Sequence, residues 1–209
     1  MSASQHTTFE ESDLTFQFSR NWVVKKFDDH KYYRILSGYG LKGVDFIGIL
    51  DQTTLVLIEV KNYKRRKESP KAPNITDILG NKPPLIDAFV YKIEDTILAI
   101  NTVHKYLLRK WQFRLNQFIW KHLPIHWFTN GEWAFWERCH QILSQKKEQV
   151  HYVLWLNTDE EYDEMKTQEV GALANHLQKS INQYFSEDPS PIFVCNNSNN
   201  PYLKDLKVN

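Results

Sequence analysis

The 209-residue sequence predicts an α/β fold, a mixed central sheet flanked by helices. Three observations carry that expectation. Residues 41–61 hold two nearly continuous apolar stretches joined by a short polar turn, as central strands covered on both faces require. From residue 85 to 123 there is no Gly or Pro, and apolar residues recur at helical spacing. A strand, an amphipathic helix and a strand then follow between residues 150 and 195, the order of a parallel pair with a crossover.

Taken in order, residues 1–12 are polar and expected to be loose. Residues 14–18 (LTFQF) alternate apolar and polar, the pattern of a half-exposed strand. Residues 22–27 (WVVKKF) fit a strand better than a helix. Asp28 and Asp29 are expected to cap a short helix over residues 30–36 that stops at Ser37-Gly38. The hairpin follows, with strands at 44–50 and 55–61 about the turn Asp51-Gln52-Thr53.

Three charges interrupt the hairpin's apolar run. Folding about Gln52 sets Asp45 opposite Glu59, because they lie seven residues either side of it. Glu59 and Lys61 are two apart and project from one face. Two carboxylates and an ammonium therefore meet on an oily strand pair. Burying them is costly unless they are paired, hydrogen-bonded or bound to a metal.

Beyond the hairpin, Lys64, Arg65, Arg66 and Lys67 form a basic run at the start of a proline-containing loop. Such a run is either solvated surface or a phosphate-binding segment. In the long helical segment Ile86, Phe89, Ile93, Ile97 and Ile100 mark the face for the sheet. It reads as one helix or as two with a bend. Its second half has no acid between Asp95 and Glu132 but carries Lys105, Arg109, Lys110, Arg114 and Lys121. Tyr106, Phe113 and Trp120 add an aromatic stripe that either stacks bases or packs under the following segment. Residues 132–146 read as a further helix with Trp133 and Trp136 on its apolar side. Residues 103–148 or so then form a helical insertion ahead of the strand–helix–strand unit. His122, His126, Cys139 and His140 lack zinc-ligand spacing.

Residues 150–156 (VHYVLWL) are a buried strand, residues 170–185 an amphipathic helix, and residues 191–195 (PIFVC) a short last strand. The tail to Asn209 is expected to be peripheral. The whole, residues 1–209, reads as one domain. A net charge of +1 gives no global sign of a polyanion partner, and 24% charged with 42% hydrophobic residues is ordinary for a globular protein. Two cysteines provide no disulfide framework and fit a reducing compartment. No stretch reaches transmembrane length, so a cytoplasmic protein without a membrane partner is expected.

The segments Gly43-Val44-Asp45-Phe46 and Ile58-Glu59-Val60-Lys61 resemble the active-site hairpin of the PD-(D/E)xK nuclease superfamily. Val44 stands where that family has Pro. The chain contains four acidic-x-Lys triplets, but only Glu59–Lys61 ends an apolar strand with an acid across a hairpin. The resemblance implies a restriction-endonuclease-like fold and a Mg²⁺- or Mn²⁺-dependent phosphodiesterase. Asp45 and Glu59 would hold the metal with the Val60 carbonyl, and Lys61 would complete the catalytic set. Asp28 or Asp29 would be the nearest match to a further family acid. The partner implied is nucleic acid, DNA ahead of RNA, contacted by Lys64, Arg65, Arg66, Lys67, Lys105, Arg109, Lys110 and Arg114. The alternative is a catalytically inactive nuclease-fold subunit that binds nucleic acid, a partner protein or a second copy. A plain ion-pair cluster is the remaining reading of the three charges.

Overall fold

A computed structural model describes residues 6–63, 82–110, 131–157, 163–185, 188–197, 199–202 and 204–209. Within these the order is β1 (Thr7–Glu11), β2 (Leu14–Phe18), β3 (Trp22–Lys26), α1 (Lys31–Ser37), β4 (Phe46–Leu50), β5 (Thr54–Asn62), α2 (Lys82–Leu108), α3 (Glu132–Gln145), β6 (Val150–Asn157), α4 (Asp163–Tyr184), β7 (Ile192–Cys195) and β8 (Leu206–Val208). The protein is mixed α/β with two sheets. Five strands run in the order β3-β4-β5-β6-β7, and three in the order β1-β2-β8. The β3–β4 and β4–β5 pairs are antiparallel, while β5–β6 and β6–β7 are parallel.

Strand alternation divides the core in two. On one face Ile47, Ile49, Leu55, Leu57, Tyr152 and Leu154 pack with Ile86, Phe89, Ile93, Ile100 and Trp136 from the helices. On the other, Phe46, Val56, Ile58, Val60, Val153 and Trp155 pack with Leu14, Phe16, Phe18 and Leu206 of the small sheet. Central strands covered on both sides explain the near-continuous apolar runs of β4, β5 and β6. The sheet-to-sheet layer is strongly aromatic: Phe16 lies 5.1 Å from Phe46 and 5.6 Å, edge-on, from Trp155.

The β4–β5 register pairs Phe46 with Ile58 and Leu50 with Thr54, so Gln52 is the centre of the hairpin as expected. Asp51 and Gln52 both take left-handed backbone, with φ 49° and 61°, which suits a tight hairpin turn. At Gly43 the chain passes so close to Phe27 that an added Cβ would lie 2.5 Å from two of its ring carbons.

Several expectations need correction. Residues 7–11 are a strand rather than loose chain, because β1 pairs along its whole length with β2. The tail is not peripheral either: β8 pairs with β2, and Leu206 and Tyr202 are buried in the second core. Helix α1 begins one residue later than expected. Its cap is His30, whose ring accepts a hydrogen bond from the Tyr32 amide, and not Asp28 or Asp29. Gly38 ends α1 in right-handed backbone, φ −61°, so it is not a left-handed cap. Helix α2 starts at Lys82, with both prolines in its first turn where their missing N–H costs nothing. It ends at Leu108, where Arg109 and Lys110 donate back to Tyr106 and Leu107 in tight turns. The helix runs through residue 103, about where the sequence suggests a helical insertion starts. Arg114, Lys121, Phe113, Trp120, His122 and His126 lie outside the described residues, as do Lys64, Arg65, Arg66 and Lys67.

Candidate active site

Alternation along β5 assigns its side chains. Leu55 and Leu57 face the helices, and Glu59 and Lys61 continue that face toward α2. Extending the β4–β5 register by one step sets Asp45 opposite Glu59. All three charges therefore look at α2, and α2 answers with a fourth. Lys92 Nζ donates to both Glu59 oxygens, Oε1 and Oε2, at 2.7 Å each. It also lies 3.8 Å from Asp45 Oδ1. Lys61 Nζ approaches Glu59 Oε1 at 2.6 Å. Asp45 Oδ2 accepts the Val60 amide at 2.6 Å, which ties the carboxylate across the strand pair.

Burial sets the electrostatics. Glu59 is 1% exposed, so its charge is held by ammonium groups rather than water. Asp45 lies beside it, and burial first, then the Glu59 charge, raise its pKa to about 7; Lys92 and the Val60 amide act the other way. The Tyr63 hydroxyl is also pushed up, first by burial and then by Glu59.

Helix α2 is locked in register with the loop that carries Asp45. Val44 N–H donates to Thr96 Oγ1 at 3.0 Å, and Thr96 Oγ1 donates to the Lys92 carbonyl at 2.6 Å. Lys42 N–H donates to Asp95 Oδ2 at 2.7 Å. Lys92 and Thr96 are the residues that sequence reasoning missed. A signal was available: a Thr sits at the fourth place of the stripe Ile86, Phe89, Ile93, Thr96, Ile100, Val103, and it is fully buried. A buried hydroxyl on an otherwise apolar face needs a partner, and Lys92 is one turn before it.

Lys105, Arg109 and Lys110, at the far end of α2 and just beyond it, are not brought to the triad. Lys105 lies 13 positions beyond Lys92, about 20 Å along the helix. Lys110 packs its ammonium 4.8 Å above the Tyr106 ring, and Tyr106 meets Tyr32 edge-on at 6.1 Å. Lys105, Arg109 and Lys110 are exposed at that end. Asp28 and Asp29 likewise have other partners: Asp28 accepts the Asp29 amide, and Asp29 lies 3.6 Å from Lys26. His140 stacks on His104 at 3.7 Å, while His104 bonds Glu137 at 2.8 Å between α2 and α3. Cys139 is fully buried.

Among the described residues no three His, Cys, Asp or Glu side chains converge on one point. Asp45 and Glu59 are a two-carboxylate set of hard oxygens. Such a pair suits Mg²⁺ or Mn²⁺, ions commonly held by one or two carboxylates and completed by water and substrate phosphate. The Lys92 ammonium lies between them, 2.7 Å from both Glu59 oxygens and 3.8 Å from Asp45 Oδ1. The residues present fit the metal.

No family model matches the chain, and no solved structure matches it. The chain is similar to a cysteine–tRNA ligase of Neisseria meningitidis serogroup A / serotype 4A, with 30% identity over 119 residues. The match covers 45% of this chain and 16% of the ligase, so the chain spans under a fifth of that relative. It does not define a family, and it bears neither way on nuclease chemistry. Among the described residues no helix is long and apolar enough to cross a membrane.

Proposed function

We propose that the protein is a metal-dependent phosphodiesterase of the PD-(D/E)xK type, with a restriction-endonuclease-like fold, acting on nucleic acid, DNA ahead of RNA. The single observation that carries this reading is the meeting of Asp45, Glu59 and Lys61 on one buried face of β4–β5. Mg²⁺ or Mn²⁺ held by Asp45, Glu59 and the Val60 carbonyl would polarise the scissile phosphate and lower the pKa of a bound water. Asp45 is fixed for this by its bond to the Val60 amide, and Glu59 by the strand interior. Lys61 is about one-third exposed, at the strand's open end, where its ammonium is positioned to orient water or offset charge growing on phosphate. Lys105, Arg109 and Lys110 are offered as backbone contacts further along the substrate, separate from the reacting centre.

Charge balance favours one rival. Two lysines already stand against the two acids, an arrangement that suits a nucleic-acid-binding or protein-interaction subunit without chemistry. Cleavage of labelled DNA and RNA in Mn²⁺ against chelator separates the readings. The parent should cut only with metal. Asp45→Asn and Glu59→Gln should lose Mn²⁺ binding and cleavage together. Lys61→Met should bind Mn²⁺ yet cut about 10²–10³-fold more slowly, the cost of one preorganised electrostatic contact. A Lys61→Met protein as fast as the parent removes Lys61 from the chemistry. A parent that binds Mn²⁺ and nucleic acid but cuts nothing establishes the binding subunit.

A further inference from the structure

Two acids and two ammonium groups share the pocket, and the cluster needs no added ion to offset its acids. The two lysines are not equivalent in it. Lys61 touches one oxygen of one carboxylate. Lys92 reaches both Glu59 oxygens and faces Asp45 Oδ1, so its nitrogen lies on the bridging position between the carboxylates. A divalent ion held by Asp45 and Glu59 would compete with Lys92 for that space. Adding such an ion while both ammoniums stay would leave like charges together in a pocket whose Glu59 is 1% exposed, a costly arrangement. One lysine has to leave. The Lys92 side chain is about one-quarter exposed and sits on four flexible methylenes, so it has a route to solvent while α2 stays in place. The backbone need not move, because Thr96 fixes that turn to the Asp45 loop.

We infer that Lys92 is an internal counter-ion that occupies the metal position and must be displaced for a divalent cation to bind, so that it sets the metal threshold of the site. The inference rests on the metal-dependent reading above. It assigns Lys92 a role opposite to that of a ligand-positioning residue.

Mn²⁺ binding to the full chain, read from the electron paramagnetic resonance signal of free aqueous Mn²⁺, tests it without reference to cleavage. Lys92→Met should bind Mn²⁺ at least tenfold more tightly than the parent, and Lys92→Arg no more tightly. Equal or weaker binding by Lys92→Met overturns the inference and leaves the metal site standing. No binding by either protein overturns both. A second readout uses the parent alone, in case Lys92→Met does not fold. Amine labelling followed by peptide mass spectrometry should show Lys92 protected in chelator and several-fold more reactive in Mn²⁺, with Lys204 unchanged as reference. Lys92 labelling that stays constant or falls with Mn²⁺ overturns the displacement.

Discussion

Thr96 offers the sharpest test of how the pocket is held together. Its hydroxyl is the acceptor for the buried Val44 amide and the donor to the Lys92 carbonyl. Thr96→Val keeps the side-chain volume and removes both bonds. The Lys92 carbonyl keeps its helical partner, but the Val44 amide loses its acceptor at a site with no exposure. An orphaned buried amide costs about 1–3 kcal/mol. For a chain of this length that is roughly 2–12 °C in Tm, at about 2–4 °C per kcal/mol. Thr96→Ser makes the opposite exchange, keeping the hydroxyl and deleting one buried methyl, a loss of about 1 kcal/mol. Urea denaturation in chelator gives both stabilities. Thr96→Val should be the less stable of the two. If Thr96→Ser is worse and Thr96→Val matches the parent, Thr96 is only a packing residue, and the coupling of α2 to the Asp45 loop has another origin.

Two further outcomes follow from the same region. Asp45 has a folded pKa near 7 against an ordinary value of 3.8, so the folded state binds its proton more tightly than the unfolded state. Its contribution is complete below about pH 4 and is lost as pH rises toward 7, at about 1.4 kcal/mol per pH unit. In chelator, urea-derived stability of the parent should fall relative to Asp45→Asn across that window, and parallel profiles would show that Asp45 titrates normally. Gly43→Ala places a methyl 2.5 Å from the buried Phe27 ring, an overpacking cost of about 1–3 kcal/mol, seen as a lowered urea midpoint with an unchanged slope; an unaltered midpoint would mean Phe27 can move aside.

The hairpin was legible because its two determinants are local. Strand alternation puts Leu55, Leu57, Glu59 and Lys61 on one face, and the centre at Gln52 fixes Asp45 across from Glu59. Lys92 was not legible in the same way. It lies 33 residues from Glu59 along the chain, and only the packing of α2 on the sheet brings it in. Helix periodicity located that face but did not reveal that a flanking lysine would bend into a pocket. The small sheet was hidden for a different reason. Thr7–Glu11 is short and polar and Leu206–Val208 only three residues long, and each becomes a strand through its partner β2. The α1 cap was misassigned because Asp is a good cap in general, whereas His30 here also bonds Glu132 at 2.8 Å, which fixes its ring over the first turn.

The β2–β8 pairing has a consequence for how the molecule is made. Ser19 and Asp205, bonded at 2.8 Å, are 186 residues apart. The helix-facing core needs nothing from residues 204–209, but the layer over Phe46, Val56 and Ile58, begun by Phe16 and Phe18 of β2, is completed by Leu206 and Val208 of β8. During synthesis that layer therefore stays incomplete along the free edge of β2 until residues 206–208 have emerged, and unpaired apolar surface is prone to association in that interval. A short deletion at residues 204–209 would leave the charged pocket assembled and the β2 edge of its reverse layer unpaired.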